Sequence, residues 1–208
     1  MKQNSLDENY LKLVERIKNE GIEKSDRTGT GTISLFGTSL RHKMSEGFPL
    51  LTSKQMSLKS VAAELIWFLK GSTDIRDLWE MKCYIWDGDW YKHYKANKNG
   101  QELHIRSLEE IKRVCRAEPD LLFDLGPIYG KQWRDFNGVD QISNLIKDIK
   151  ENPDSRRLMV NAWNVSEIDN MVLPPCHYGF QCYTKLLDNG ERELSLMWNQ
   201  RSVDTLLG

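Results

Sequence analysis

The sequence predicts an α+β fold, a largely antiparallel or mixed sheet packed with helices, and three observations carry that reading. Helical periodicities and strand-like runs are interleaved along the chain. The last thirty residues hold a hairpin pattern. No repeat, low-complexity tract or linker divides the 208 residues, so one domain spanning 1–208 is expected.

The elements follow in order. Ser5 and Glu8 form a capping-box pattern, and Tyr10, Leu11, Val14 and Ile17 recur at helical spacing until Gly21, which predicts a helix over 6–20. The glycine-punctuated loop from Lys24 to Gly31 feeds a strand through Ile33, Leu35, Phe36 and Leu40, reaching about Arg41. From Ser57 to Lys70 the residues Leu58, Val61, Ala62, Leu65, Phe68 and Leu69 fit one helix face, and Gly71 ends it. A shorter helix is expected within Thr73–Met81, an exposed lysine-bearing excursion over Tyr91–Gly100, and a helix near 107–117 opened by Ser107 and Glu110 and closed by Pro119. Gln141–Lys150 is helical by its Ile142, Leu145, Ile146 and Ile149 spacing, and Leu158–Trp163 is strand-like. Phe180–Leu187, the turn Asp188-Asn189-Gly190 and Glu193–Trp198 make the hairpin.

Composition narrows the function. With 29 Lys+Arg against 30 Asp+Glu, the chain is not built for polyanions in general, so nucleic acid is an unexpected partner and any anion site must be local. No apolar stretch nears the ~20 residues that span a bilayer, and MKQNSLDENY lacks a secretory core, so a cytoplasmic protein is expected. Four sparse cysteines without a Cys-x-x-Cys pair read as free thiols, with no metal site.

Only a thiolate attacks carbon, so neighbours decide which cysteine matters. Cys176 stands out because Pro174-Pro175 stiffen its approach and His177 follows it, whereas Cys182 lies in a strand-like run and Cys83 and Cys115 in helix-like surroundings. Context alone leaves Cys176 open between nucleophile and structural thiol. At about 100° per residue Glu64 falls beside Phe68 and Val61, away from Lys59 and Lys70. Such a carboxylate is either satisfied by a buried partner or kept protonatable in a low-dielectric pocket. Arg27, the pair Arg156-Arg157, and Gln200-Arg201-Ser202 offer phosphate-binding forks, though a lone arginine is more often solvated, and adjacent arginines in a strand would point to opposite faces. DRTGTGT fits neither the Walker A nor the dinucleotide pattern. Trp86, Trp90, Tyr129 and Trp133 suit ligand stacking, but aromatics so dense are more often core.

Eight ordered blocks, including Asp26-Arg27-Thr28-Gly29-Thr30-Gly31-Thr32, Glu64-Leu65-Ile66-Trp67-Phe68-Leu69-Lys70-Gly71, Asp124 to Arg134, Asn152-Pro153-Asp154-Ser155-Arg156-Arg157, Leu173-Pro174-Pro175-Cys176-His177 and Gln200-Arg201-Ser202-Val203-Asp204, resemble the thymidylate synthase family. The resemblance implies reductive methylation of dUMP to dTMP, with 5,10-methylenetetrahydrofolate as co-substrate and no metal. It implies Cys176 as covalent catalyst adding to C6 of the pyrimidine, Glu64 moving protons at the pyrimidine carbonyl, and Tyr129 assisting removal of the C5 proton. Arg27, Arg201 and Ser202 would hold the substrate phosphate, His177 and Gln200 would border the base, and Trp86 and Asp204 the folate. It further implies a homodimer formed through the sheet, with Arg156 and Arg157 reaching the neighbouring subunit's phosphate, which removes the objection to adjacent arginines.

Two departures qualify it. Ser57 stands where many members carry a folate-side histidine. The family's chain continues beyond the point matching Gly208, through an asparagine that reads the uracil edge, a His/Tyr ribose contact and a closing tail. The chain is therefore expected to be C-terminally incomplete and to leave apolar surface uncovered. Two alternatives stand beside the leading reading. A deoxypyrimidine-nucleotide hydroxymethylase would share the Cys/Glu machinery without hydride transfer, and an inactive nucleotide- or RNA-binding truncated form would need no chemistry.

Overall fold

The computed structural model describes residues 5–25, 29–97, 113 and 123–206. They gather into two compact units, 1–58 with 205–208, and 59–204. The architecture is α+β with antiparallel sheets.

In the first unit α1 covers Ser5–Glu20, close to expectation, and Gly21 closes it through its N–H to the Ile17 carbonyl at 2.9 Å. Ser5 is the first residue of the helix, and its hydroxyl donates to the Glu46 carboxylate. Buried Asp7 anchors the helix by accepting the N–H groups of Thr52 (2.8 Å) and Ser53 (3.2 Å), as well as the Thr52 hydroxyl. The strand expected to reach Arg41 is only β2, Thr32–Ser34, which pairs antiparallel with an unforeseen β1, Ile22–Lys24. Its length is set by its partner: β1 starts directly after α1, so pairing stops at Ile22 and Ser34.

The second unit carries the main core, centred on Trp67, Trp90, Trp133, Ile75, Leu78, Leu125, Ile128, Leu158 and Val160, all nearly inaccessible. Helix α2 (Leu58–Lys70) ends at Gly71, whose φ of 74° suits a helix stop. Its buried side is not the expected aliphatic stripe. Leu58, Val61, Leu65 and Leu69 are 39 to 50% exposed, while Ala63, Trp67 and Phe68 are buried. The two aromatics bury more area per residue than the leucines, so they take the core-facing side. Helix α3 (Ile75–Glu80) is capped by Asp74, which accepts the Arg76 N–H at 2.8 Å.

The expected excursion from Tyr91 is instead the second half of helix α4 (Asp87–Asn97), pinned by buried Trp90; residues 98–100 lie outside the described residues. The helix expected near 107–117 also lies outside them, except Arg113, which is helical. Cys83 is not helical but sits in the turn between α3 and α4, and Cys115 is outside the described residues. Helices α5 (Tyr129–Arg134) and α6 (Gln141–Glu151) follow, the latter capped by Asp140.

Strands β3 (Met159–Asn161), β4 (His177–Leu186) and β5 (Arg192–Gln200) form one antiparallel sheet in that order. Val160, Phe180, Cys182 and Thr184 face inward, and Trp198, opposite Phe180, stacks on its ring at 5.6 Å. Trp86, Trp90, Tyr129 and Trp133 are all buried, as aromatics of that density usually are. Among the described residues no helix is long and apolar enough to cross a membrane.

Candidate active site

Cys176 is the residue before β4, held at both ends of its own peptide unit. Its N–H donates to the Tyr129 hydroxyl at 2.7 Å, and its carbonyl accepts the Arg201 N–H at 2.9 Å. Arg201 follows β5, so hairpin pairing carries it to the Cys176 segment. Its Nε donates to the Pro175 carbonyl and its Nη2 to the Pro174 carbonyl, each at 2.9 Å, and Nη2 stands 3.9 Å from Cys176 Sγ. The Trp163 ring lies 5.4 Å from the same guanidinium. This arginine therefore both shapes the loop, through the two proline carbonyls, and places its guanidinium beside the sulfur.

Tyr129 opens α5, and Gly130 lets it lie close to α2. A Cβ on Gly130 would come 3.0 Å from the Phe68 carbonyl oxygen and 3.1 Å from the Ser72 one. The Tyr129 ring therefore packs on Phe68 (4.8 Å) and stacks on His177 (4.0 Å, 22°). His177 reaches it through a β-bulge: the register slips between His177 and Gly179, turning His177 onto the inward face with Trp198 and its partner Gln200. Burial pushes the His177 imidazole down to about 4, so it is neutral at neutral pH. Burial also holds the Tyr129 phenol protonated far above its usual range.

Glu64 of α2 is mostly buried, and burial raises its carboxyl pKa; the Trp86 indole N–H, 2.7 Å from Oε1, partly offsets that. Both readings left open by its helix position hold together: it has a buried partner and remains easier to protonate than an exposed glutamate. Trp86 itself is 5% exposed, edge-on to Tyr129 at 6.0 Å.

The structure thus brings together Cys176, His177, Tyr129, Glu64, Trp86, Gln200 and Arg201. Ser202 and Asp204 follow Arg201 on exposed chain. Arg27 lies outside the described residues. Arg156 and Arg157 are not in a strand but in the exposed loop before β3, and they form no ion pair among the described residues. That loop meets the far end of the hairpin at Thr184, roughly 20 Å along β4 from His177 at about 3.3 Å per residue. Phe68, which seats Tyr129, was legible only as part of an apolar helix face, and Trp163 and Trp198, which seat Arg201 and His177, only as strand residues; these contacts depend on long-range packing that leaves no local pattern. Among the described residues no group of three or more His, Cys, Asp or Glu is placed to hold a metal.

A restrained thiol beside a fixed guanidinium, with a partly desolvated carboxyl across a neutral phenol, defines a site for nucleophilic catalysis with proton transfer. A family model described as thymidylate synthase matches residues 8–208. Thymidylate synthases of Mycoplasma mobile and Mesoplasma florum are each 47% identical to this chain, over 206 and 204 residues, covering 97% and 96% of it and 68% of their own length. That of Malacoplasma penetrans is 44% identical over 204 residues, again 68% of its length. The chain belongs to the thymidylate synthase family.

Proposed function

We propose that this protein catalyses the reductive methylation of dUMP to dTMP, with 5,10-methylenetetrahydrofolate supplying the one-carbon unit and the hydride. The carrying observation is Cys176, tied through its N–H to Tyr129 with its sulfur 3.9 Å from Arg201. The Cys176 thiolate adds to C6 of the pyrimidine, converting an unreactive C5 into an enolate carbon able to attack an electrophilic methylene. The sulfur–C6 bond later breaks, returning the thiolate to Arg201.

Glu64 holds or releases a proton at the pyrimidine carbonyl, the task its raised pKa suits. The Tyr129 oxygen accepts the Cys176 N–H, which leaves its own proton free to orient a base or water at C5. His177 and Gln200 border the base. Arg27, Arg201 and Ser202 hold the phosphate; two N–H groups of Arg201 serve the proline carbonyls, leaving the rest of the fork for an anion. Trp86 and Asp204 border the folate.

Arg156 and Arg157 serve the neighbouring subunit of a homodimer. Their distance along the hairpin from Cys176 supports this, as does the outer sheet face, where Met159, Tyr183 and Met197 are 55 to 65% exposed. The single 1–208 catalytic domain and a cytoplasmic site of action belong to the same reading.

Incubation with dUMP and methylenetetrahydrofolate should yield equimolar dTMP and dihydrofolate from a protein that sediments as a dimer. Tetrahydrofolate with a hydroxymethylated product would replace this reading with hydroxymethyl transfer, and a monomer active at full rate would remove the shared site.

A further inference from the structure

We infer that Arg192 is a positioning residue, clamping the loop that presents Arg156 and Arg157 and thereby setting the affinity for the substrate phosphate; the inference rests on the phosphate role proposed for those arginines.

The loop leaves α6 at Asn152 and enters β3 at Met159. Inside it, Ser155 N–H reaches the Asn152 carbonyl at 3.0 Å and Arg157 N–H the Ser155 hydroxyl at 3.2 Å, short-range bonds that shape the turn without fixing it to the sheet. On its β3 side the backbone is tied to β4 by the Cys182 N–H, which donates to the Leu158 carbonyl at 2.8 Å; on its α6 side the tie comes from the far end of the hairpin. Arg192, first residue of β5, grips Asp154 with both terminal nitrogens, Nη1 to Oδ1 at 2.7 Å and Nη2 to Oδ2 at 3.0 Å. The same Nη1 donates at 3.0 Å to the hydroxyl of buried Thr184, which donates onward to the Pro153 carbonyl at 2.6 Å.

One guanidinium thus binds the loop's side chain directly and, through a buried hydroxyl, orients the bond to its backbone. A bidentate fork fixes both distance and angle, which a lysine ammonium would not. Arg192 also holds the Asp154 carboxyl below the usual range, so the grip persists throughout neutral pH. Arg156 and Arg157 begin two residues beyond Asp154, and their guanidinium groups have no ion pair among the described residues. Their approach direction is therefore inherited from the loop. Without the clamp, the α6 side of the loop would keep only the Thr184 bond to the Pro153 carbonyl and would have to order further on binding, and that cost falls on substrate affinity rather than on the Cys176 step.

The test compares Arg192→Ala, Arg192→Lys and Asp154→Asn with Arg157→Ala, measuring kcat and KM for dUMP and the dissociation constants of dUMP and of deoxyuridine, which lacks the phosphate. The Asp154→Asn change, on an exposed side chain, guards against misfolding of the others. Arg192→Ala and Asp154→Asn should raise KM for dUMP about three- to tenfold. They should leave kcat within about twofold and deoxyuridine binding unchanged; Arg192→Lys should recover only part. Unchanged dUMP affinity in Arg192→Ala, alongside a loss in Arg157→Ala, would overturn the clamp and leave the phosphate reading standing. Unchanged affinity in Arg157→Ala would overturn that reading and the clamp with it. Equal weakening of dUMP and deoxyuridine would show general destabilisation and also overturn the clamp.

Discussion

At the scale of single residues, the site depends on groups kept in uncommon protonation states. His177 takes up its proton in the unfolded chain near 6.5 but, when folded, only near 4. Between those values the unfolded state binds more protons, so stability falls as pH drops through that window and is fully present above 6.5. At about 1.4 kcal/mol per pH unit, the contribution lost is at most about 3 kcal/mol. Urea unfolding of wild type and His177→Gln at pH 4 to 6.5 should therefore show a steeper pH dependence for wild type; parallel curves would mean that the imidazole is not held neutral. Cys176 and Glu64 were legible in the sequence as candidates because one follows two prolines and the other lies beside an apolar helix face. Their partners, Tyr129 and Trp86, were legible only as dense aromatics, because a hydrogen bond between residues 47 or 22 positions apart has no local signature.

At the scale of elements, close backbone approach decides where the candidate site residues end up. Residues 123–128 dock on the segment leading to Cys176: the Val172 N–H meets the Leu125 carbonyl at 3.0 Å, and a Cβ on Gly126 would stand 2.1 Å from the Asn170 oxygen, at a φ of 78°. Gly126→Ala should cost about 2 to 4 kcal/mol, read from the urea midpoint, with activity falling because Tyr129 and the Cys176 segment separate. A neutral result would show that these segments are not pressed together. Helix positions were readable from periodicity for α1, α2 and α6, α3 was expected as a shorter helix, and the hairpin was readable from its turn. The buried side of α2 was legible at Phe68 alone, since the aliphatic spacing gave no reason to prefer Trp67 over Leu65 and Leu69. The extent of β2, fixed by a three-residue partner, was not legible, nor was α4, whose lysines concealed the buried Trp90.

At the scale of the whole molecule, family membership was visible because catalytic blocks are short and ordered along the chain, whereas the way they converge is a property of the fold. The bulge at His177, the pairing of β4 with β5 and the docking of α5 on α2 bring Cys176, Tyr129 and Arg201 together from segments far apart in sequence. The chain spans 68% of the length of the Mycoplasma mobile and Mesoplasma florum relatives, and Cys176, Tyr129 and Arg201 all lie among the described residues. Central to the account is a transient bond between the Cys176 sulfur and a pyrimidine ring. Mass analysis of the Cys176 peptide after incubation with 5-fluoro-dUMP and methylenetetrahydrofolate tests it most directly. The account predicts a peptide carrying both nucleotide and folate, absent in Cys176→Ala; an unmodified Cys176 in folded protein that binds dUMP would contradict it.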